Sequence, residues 1–153
     1  MGRMYTVSFT ATSVSAAQDL FQIESNTVAV IIHAVYLSQS SDAGDANSEA
    51  LRLRFRRVTD ALTNVTAEEQ LDSDDAVAQA DLNVNDTTPF TAGAETLHVE
   101  SWNILTPFVY LPPPKLRIRI NPTETVTLNL IAAPSAAVTM DGVMYFEEGG
   151  SGD

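Results

Sequence analysis

Hydrophobic residues in this chain recur at every second position, and that period limits the fold more than any other feature. Residues 4–9 put Tyr5, Val7 and Phe9 on one face, and residues 19–24 put Phe21 and Ile23 together. Residues 51–58 do the same with Leu51, Leu53 and Phe55, and residues 125–132 with Val126, Leu128 and Leu130. Successive side chains of an extended strand point to opposite faces, so each of these runs offers one apolar face to a core.

Four further segments complete the set. Residues 28–37 are apolar at both parities, which predicts a central strand covered on both sides. Residues 97–103 alternate less cleanly, residues 115–120 alternate basic with apolar, and residues 138–147 alternate around Asp141-Gly142, a bulge or tight-turn signal. Asn121-Pro122-Thr123 and Ala133-Pro134-Ser135 read as turns, and Pro112-Pro113-Pro114 as a stiff extended lead-in. About eight short strands predict an all-β, two-sheet antiparallel sandwich. A jelly roll is the expected topology and an immunoglobulin-like sandwich the structural alternative.

The chain of 153 residues fits one domain spanning 1–153. Residues 39–49 form a polar loop, and residues 149–153 read as a flexible tail. Residues 59–94 form a long acidic excursion, expected to lie outside the main sandwich and to touch a neighbour. Within it, Thr66-Ala67-Glu68-Glu69 fits a helix capping box, and residues 82–84 fit an edge strand. The doubly apolar 28–37 run predicts that either the acidic excursion or a sister subunit lies against its outer side, and a homotrimer is expected.

Charge is distributed unevenly. The formal net charge is -12, yet the basic residues concentrate in runs 51–57 and 115–119. Alternation puts Arg52, Arg54 and Arg56 on one face, and lines up Arg117 and Arg119 likewise. These five are the candidate partner-binding residues. Arginine's planar fork suits an acidic partner, although pairing with the chain's own carboxylates is the competing reading. The acidic balance argues against free nucleic acid as a partner, and no apolar run is long enough for a membrane span. The chain contains no cysteine, and its two histidines make a histidine-rich metal site improbable.

Other candidate sites are weak. Glu68, Glu69, Asp72, Asp74 and Asp75 lack the glycine and the spacing of a calcium loop. His98 and Glu100 share a strand face with Trp102 beyond them, but no nucleophile lies nearby in sequence. His33, between Ile31 and Val35, reads as a core or interface residue. No phosphate-binding glycine loop, nucleophile elbow or zinc-protease motif occurs. The residues therefore predict no catalytic set, no metal site and no cofactor.

Several segments, in order, resemble small β-rich structural proteins of tailed bacteriophages. They are Met4-Tyr5-Thr6-Val7-Ser8-Phe9, Ala16-Ala17-Gln18-Asp19-Leu20-Phe21, the 28–36 run, the 39–45 loop, Thr96-Leu97-His98 and the 140–148 strand. Within that group the chain is most similar to head decoration (cement) proteins. The resemblance implies a non-enzymatic sandwich on the outer capsid surface of a virion, assembled in the bacterial host cytoplasm. It implies the major capsid protein and further copies of the chain as partners, bridging capsomers, often as a trimer. A receptor- or glycan-binding module, with Trp102, Phe108 and Tyr110 as an aromatic platform, is the first alternative reading. Another virion component, such as a tail or head-completion protein, is the second.

Overall fold

A computed structural model describes residues 2–40 and 48–149. The 39–49 loop and the 149–153 tail therefore lie largely outside the described residues. Eleven strands run in chain order: β1 (Arg3–Val14), β2 (Gln18–Glu24), β3 (Val30–Gln39), β4 (Ala50–Val58), β5 (Glu69–Gln70), β6 (Asp81–Asp86), β7 (Glu95–Asn103), β8 (Phe108–Tyr110), β9 (Arg119–Ile120), β10 (Thr125–Leu130) and β11 (Val138–Glu148).

Two antiparallel sheets pack face to face. The first has the order β5-β1-β11-β3-β8, with β9 also on β3, and the second β6-β2-β10-β4-β7. The principal pairs are β1 with β11, β2 with β10, β3 with β8 and β9, and β4 with β7. Early strands thus pair with late ones in nested sequence, which is the jelly roll: a long hairpin rolled into two sheets. The alternation read from sequence holds in β1, β2, β4 and β10. Tyr5, Val7, Phe9, Phe21, Ile23, Leu53, Phe55, Leu128 and Leu130 all lie in the core between the sheets.

The doubly apolar 28–37 run has a different explanation from the one predicted. In the β3–β11 ladder Ile32 faces Phe146 and Ala34 faces Tyr145, so His33 is an extra, bulged residue. Val30 and Ile32 point inward before the bulge, and Val35 and Leu37 point inward after it. Two apolar parities therefore serve one face, and this strand supplies no argument for a sister subunit. A second irregularity lies on β1, between Phe9 and Thr12, opposite Asp141. There Ala11 adopts φ 46° and donates its N–H to Asp141 Oδ1 at 2.7 Å. Next to it, a Cβ at Gly142 would sit 2.5 Å from the Phe9 ring and 2.9 Å from Leu37, so close packing requires glycine there.

Two expectations about local structure fail. Residues 115–120 do not form one strand: Pro114–Leu116 is a 3-10 turn and only Arg119–Ile120 pairs with β3. Proline fixes φ and supplies no amide donor, so the triple-proline lead-in cannot feed a ladder. The capping box at Thr66 starts no helix. Glu68 instead accepts the Ala78 N–H at 2.8 Å, while the Thr66 N–H bonds the Leu82 carbonyl.

The acidic excursion is built into the sandwich rather than lying outside it. Its β5 extends the first sheet on β1, and its β6 extends the second on β2, as predicted for residues 82–84. Leu82 is fully buried. The segment is held by Tyr5, which donates to the Ala76 carbonyl at 2.7 Å, and by Glu148, which accepts the Gln79 and Ala80 amides at 2.8 and 3.0 Å.

Candidate interaction surfaces

The five candidate arginines do not form one stripe. Arg52, Arg54 and Arg56 share the outer face of the second sheet, whereas Arg119 is on β9 of the first and Arg117 just precedes it. Residues 87–94 leave β6 at one edge of the second sheet and enter β7 at the other. Crossing a five-stranded sheet takes about 19 Å, within the roughly 27 Å reach of an extended segment of that length. This strap passes over the outer face. Phe90 donates its N–H to Asp19 Oδ2 at 2.9 Å, and its carbonyl accepts from Arg56 Nη2 at 2.8 Å.

Beneath the strap lies a buried polar layer. Asp19 also accepts from Gln22 Nε2 at 2.9 Å and from Asn129 Nδ2 at 3.0 Å, and Arg54 Nε donates to Asn129 Oδ1 at 3.0 Å. Burial raises the Asp19 pKa above its ordinary value even though its three donors and the nearby Arg56 oppose the rise. Burial, then the adjacent Arg56, lowers that of Arg54. Arg56 is only 6% exposed. Arg54 and Arg56 are thus occupied by the chain's own amide and carbonyl groups. Arg52 and Arg119 are exposed, and Arg119 bonds Asn121 Oδ1 at 3.3 Å. Arg57, outside the predicted set, pairs with Glu124 at 3.5 Å and Glu95 at 3.8 Å.

The surface that sequence reasoning missed is the opposite edge from the excursion. There β7 ends the second sheet and β8 and β9 end the first, leaving a groove of about 420 Å³ between them. Leu97, Leu111, Leu116, Tyr110 and the Pro112-Pro113 run line it, with His98 and Glu100 at its rim. Leu97, Val109, Leu111 and Leu116 are exposed along this groove, up to 69% for Leu116, while Val99 is exposed on the outer side of β7 and Leu105 lines a separate pocket with Ser38 and Thr106. Contiguous exposed apolar surface is an interaction signal, whereas isolated exposed leucines are ordinary. The sequence showed these residues but not that they meet, because β7 and β8 belong to different sheets.

The remaining candidates take defined places. His98 Nε2 lies 3.7 Å from Glu100 Oε1, too far for a hydrogen bond, and its ring packs against Tyr110 and Phe55. Burial, with Glu100 adding to it, raises the Tyr110 pKa. His33 Nε2 bonds Glu147 Oε2 at 2.7 Å, and the other oxygen of Glu147 accepts the Gly2 N–H, so its ring nitrogen is satisfied as expected. The proposed aromatic platform is not a platform: Trp102, Phe108 and Tyr110 are all buried, with Trp102 and Phe108 packed edge to face. Among the described residues no group of three or more His, Asp or Glu side chains is placed to hold a metal ion. None of the described helices is long and apolar enough to cross a membrane.

No family model matches the chain, and no curated protein does. A chain of the T13 IBDV viral particle aligns with 95% of this chain at 11% identity and a TM-score of 0.16. This chain spans 39% of that one's length. A likeness of that size carries no argument about fold or function.

Proposed function

We propose that this chain is a non-enzymatic virion structural protein of the head-decoration type, which binds the outer capsid surface and stabilises the shell by bridging capsomers. The major capsid protein is its partner. The reading rests on the sequence resemblance and, in the structure, on one observation: the apolar β7–β8 edge. Four exposed aliphatic side chains, Leu97, Val109, Leu111 and Leu116, line one groove there on an otherwise strongly acidic body. Such a surface suits a macromolecular partner better than a small substrate. A ligand that binds only the assembled lattice adds its binding free energy to the stability of the shell, and symmetry multiplies the effect. Arg52 and Arg119, exposed on opposite sheets, are the candidate arginines left available to an acidic capsid surface.

The test is co-sedimentation with shells assembled from the major capsid protein encoded in the same genome. Saturable binding and a higher shell dissociation temperature are expected. Absence of binding at low and moderate salt rejects the proposal. The glycan-binding alternative loses its aromatic platform to the core.

A further inference from the structure

Among the described residues, three of the four lateral sheet edges carry features that hinder strand addition. β5 is two residues long and covers only Tyr5 and Thr6 of β1, whose remaining edge is broken by the bulge between Phe9 and Thr12. β6 begins and ends in aspartate, Asp81 and Asp86, and runs into the strap. The β8–β9 edge consists of a three-residue and a two-residue strand, separated by Pro112-Pro113-Pro114 and preceded by Pro107. Short strands, charges and prolines are how natural sheets block edge-to-edge pairing. β7 differs. It is nine residues long, pairs only with β4 among the described residues, and its charges are Glu95 at its start and Glu100, with neither proline nor a basic residue other than His98. Its one irregularity is a bulge at Leu97.

The free hydrogen-bonding groups of β7 can be assigned. Ile104 donates its N–H to the Glu49 carbonyl, and the β4–β7 register continues as Trp102 with Leu51, Glu100 with Leu53 and His98 with Phe55. Antiparallel ladders alternate hydrogen-bonded and non-bonded pairs, so the amides and carbonyls of Val99 and Ser101 point away from β4. They have no strand partner among the described residues.

We propose that two copies of this chain pair antiparallel through β7, about a two-fold axis at Val99. The sequence is self-complementary about that residue. Val99 opposes Val99 of the other copy, Leu97 opposes Ser101, and His98 opposes Glu100 on both sides of the axis. The Val99 and Ser101 amides then find acceptors. The His98 ring nitrogen Nε2, enclosed and without a hydrogen-bond partner among the described residues, gains a carboxylate when its partly exposed ring turns toward the axis. Moving the axis to Glu100 sets the two glutamates against each other, and moving it to His98 leaves both without a partner. A two-fold axis normal to the sheet keeps both first sheets on the same side. The two grooves then face each other, and the exposed Leu97, Leu111 and Leu116 become covered. The contact is isologous, so it closes at a dimer.

Sedimentation equilibrium on the full chain tests this without any capsid; a dimer would cover the β7–β8 edge, leaving the decoration role to rest on the sequence resemblance and the exposed Arg52 and Arg119. The wild type is expected to show a monomer–dimer equilibrium that tightens with added salt, because each copy carries net charge -12. His98→Glu alone and Glu100→Lys alone should each weaken the dimer about tenfold, since each loses both His–Glu pairs. Mixing the two variants in equal amounts should restore a one-to-one dimer, because the introduced glutamate then faces the introduced lysine. A fold defect would not be repaired by mixing. Should His98→Glu fail to fold, Val99→Lys decides: this exposed site tolerates the change, and the dimer should be lost. A wild type that stays monomeric at its highest soluble concentration, a trimer, or a dimer indifferent to Val99→Lys each overturns the proposal.

Discussion

Asp19 shows how one residue can be costly and still organise a surface. Its carboxylate is fully buried and accepts three hydrogen bonds, one of them from the strap. Burial raises its pKa above 3.8 in the folded state, so the native protein binds the proton more tightly than the unfolded chain. Its contribution to stability is therefore greatest below its ordinary pKa and is lost as pH rises through the raised folded value. Asp19→Asn removes that component while leaving every other carboxylate in place. Denaturant midpoints of wild type and variant, compared between about pH 3 and pH 7, should show the wild type losing ground as pH rises through that window. A wild-type advantage that grows with pH would mean the three donors outweigh burial. None of this was legible in the sequence, where Asp19 is one of 20 acidic residues. Its neighbours Asn129 and Phe90 are brought to it by pairing and by the strap, not by spacing. The same holds for the arginines: alternation correctly placed Arg54 and Arg56 on the outer face, but only the fold brings Asn129 and the Phe90 carbonyl to them.

At the scale of elements, the alternating strands were legible because one buried face imposes a period of two. Elements held by long-range contacts were not. β5 is too short to carry a pattern, and the 28–37 run hid a bulge whose phase shift mimics two-sided burial. The excursion read as an appendage because its anchors lie far away in sequence: Tyr5 and Glu148 hold residues 76–80. Glu148→Ala leaves the Gln79 and Ala80 amides without their acceptor in a largely buried site, an expected loss of about 1–3 kcal/mol. Because β5 and β6 add at sheet margins, opening should begin there. Hydrogen exchange in the variant should accelerate around residues 76–82 well before it does in β10 or β11. Equal acceleration throughout would show that the excursion unfolds only with the whole sandwich.

The whole molecule is interlocked about that excursion. A break in the exposed 72–74 turn separates β1–β5 from β6–β11. Among the described residues no two strands of the second piece pair, and in the first only β1 and β5 do, over two residue pairs. Every other ladder crosses the break, including Arg3 with Glu148 near the two ends of the described chain. Neither piece can form a sheet or bury a core alone, so each should be unfolded in isolation. Together they should assemble one-to-one with the strand signature of the intact protein. The loop-closure entropy lost at the break is small beside the core that both pieces share, because closure cost grows only logarithmically with loop length. Such non-local pairing also predicts slow folding, in the millisecond-to-second range typical of all-β sandwiches. The test is circular dichroism of the two expressed fragments, separate and mixed, with stopped-flow refolding of the intact chain. A second fragment that folds by itself would mean its strands can pair in ways the native topology does not use, and the interlocked description would then fail.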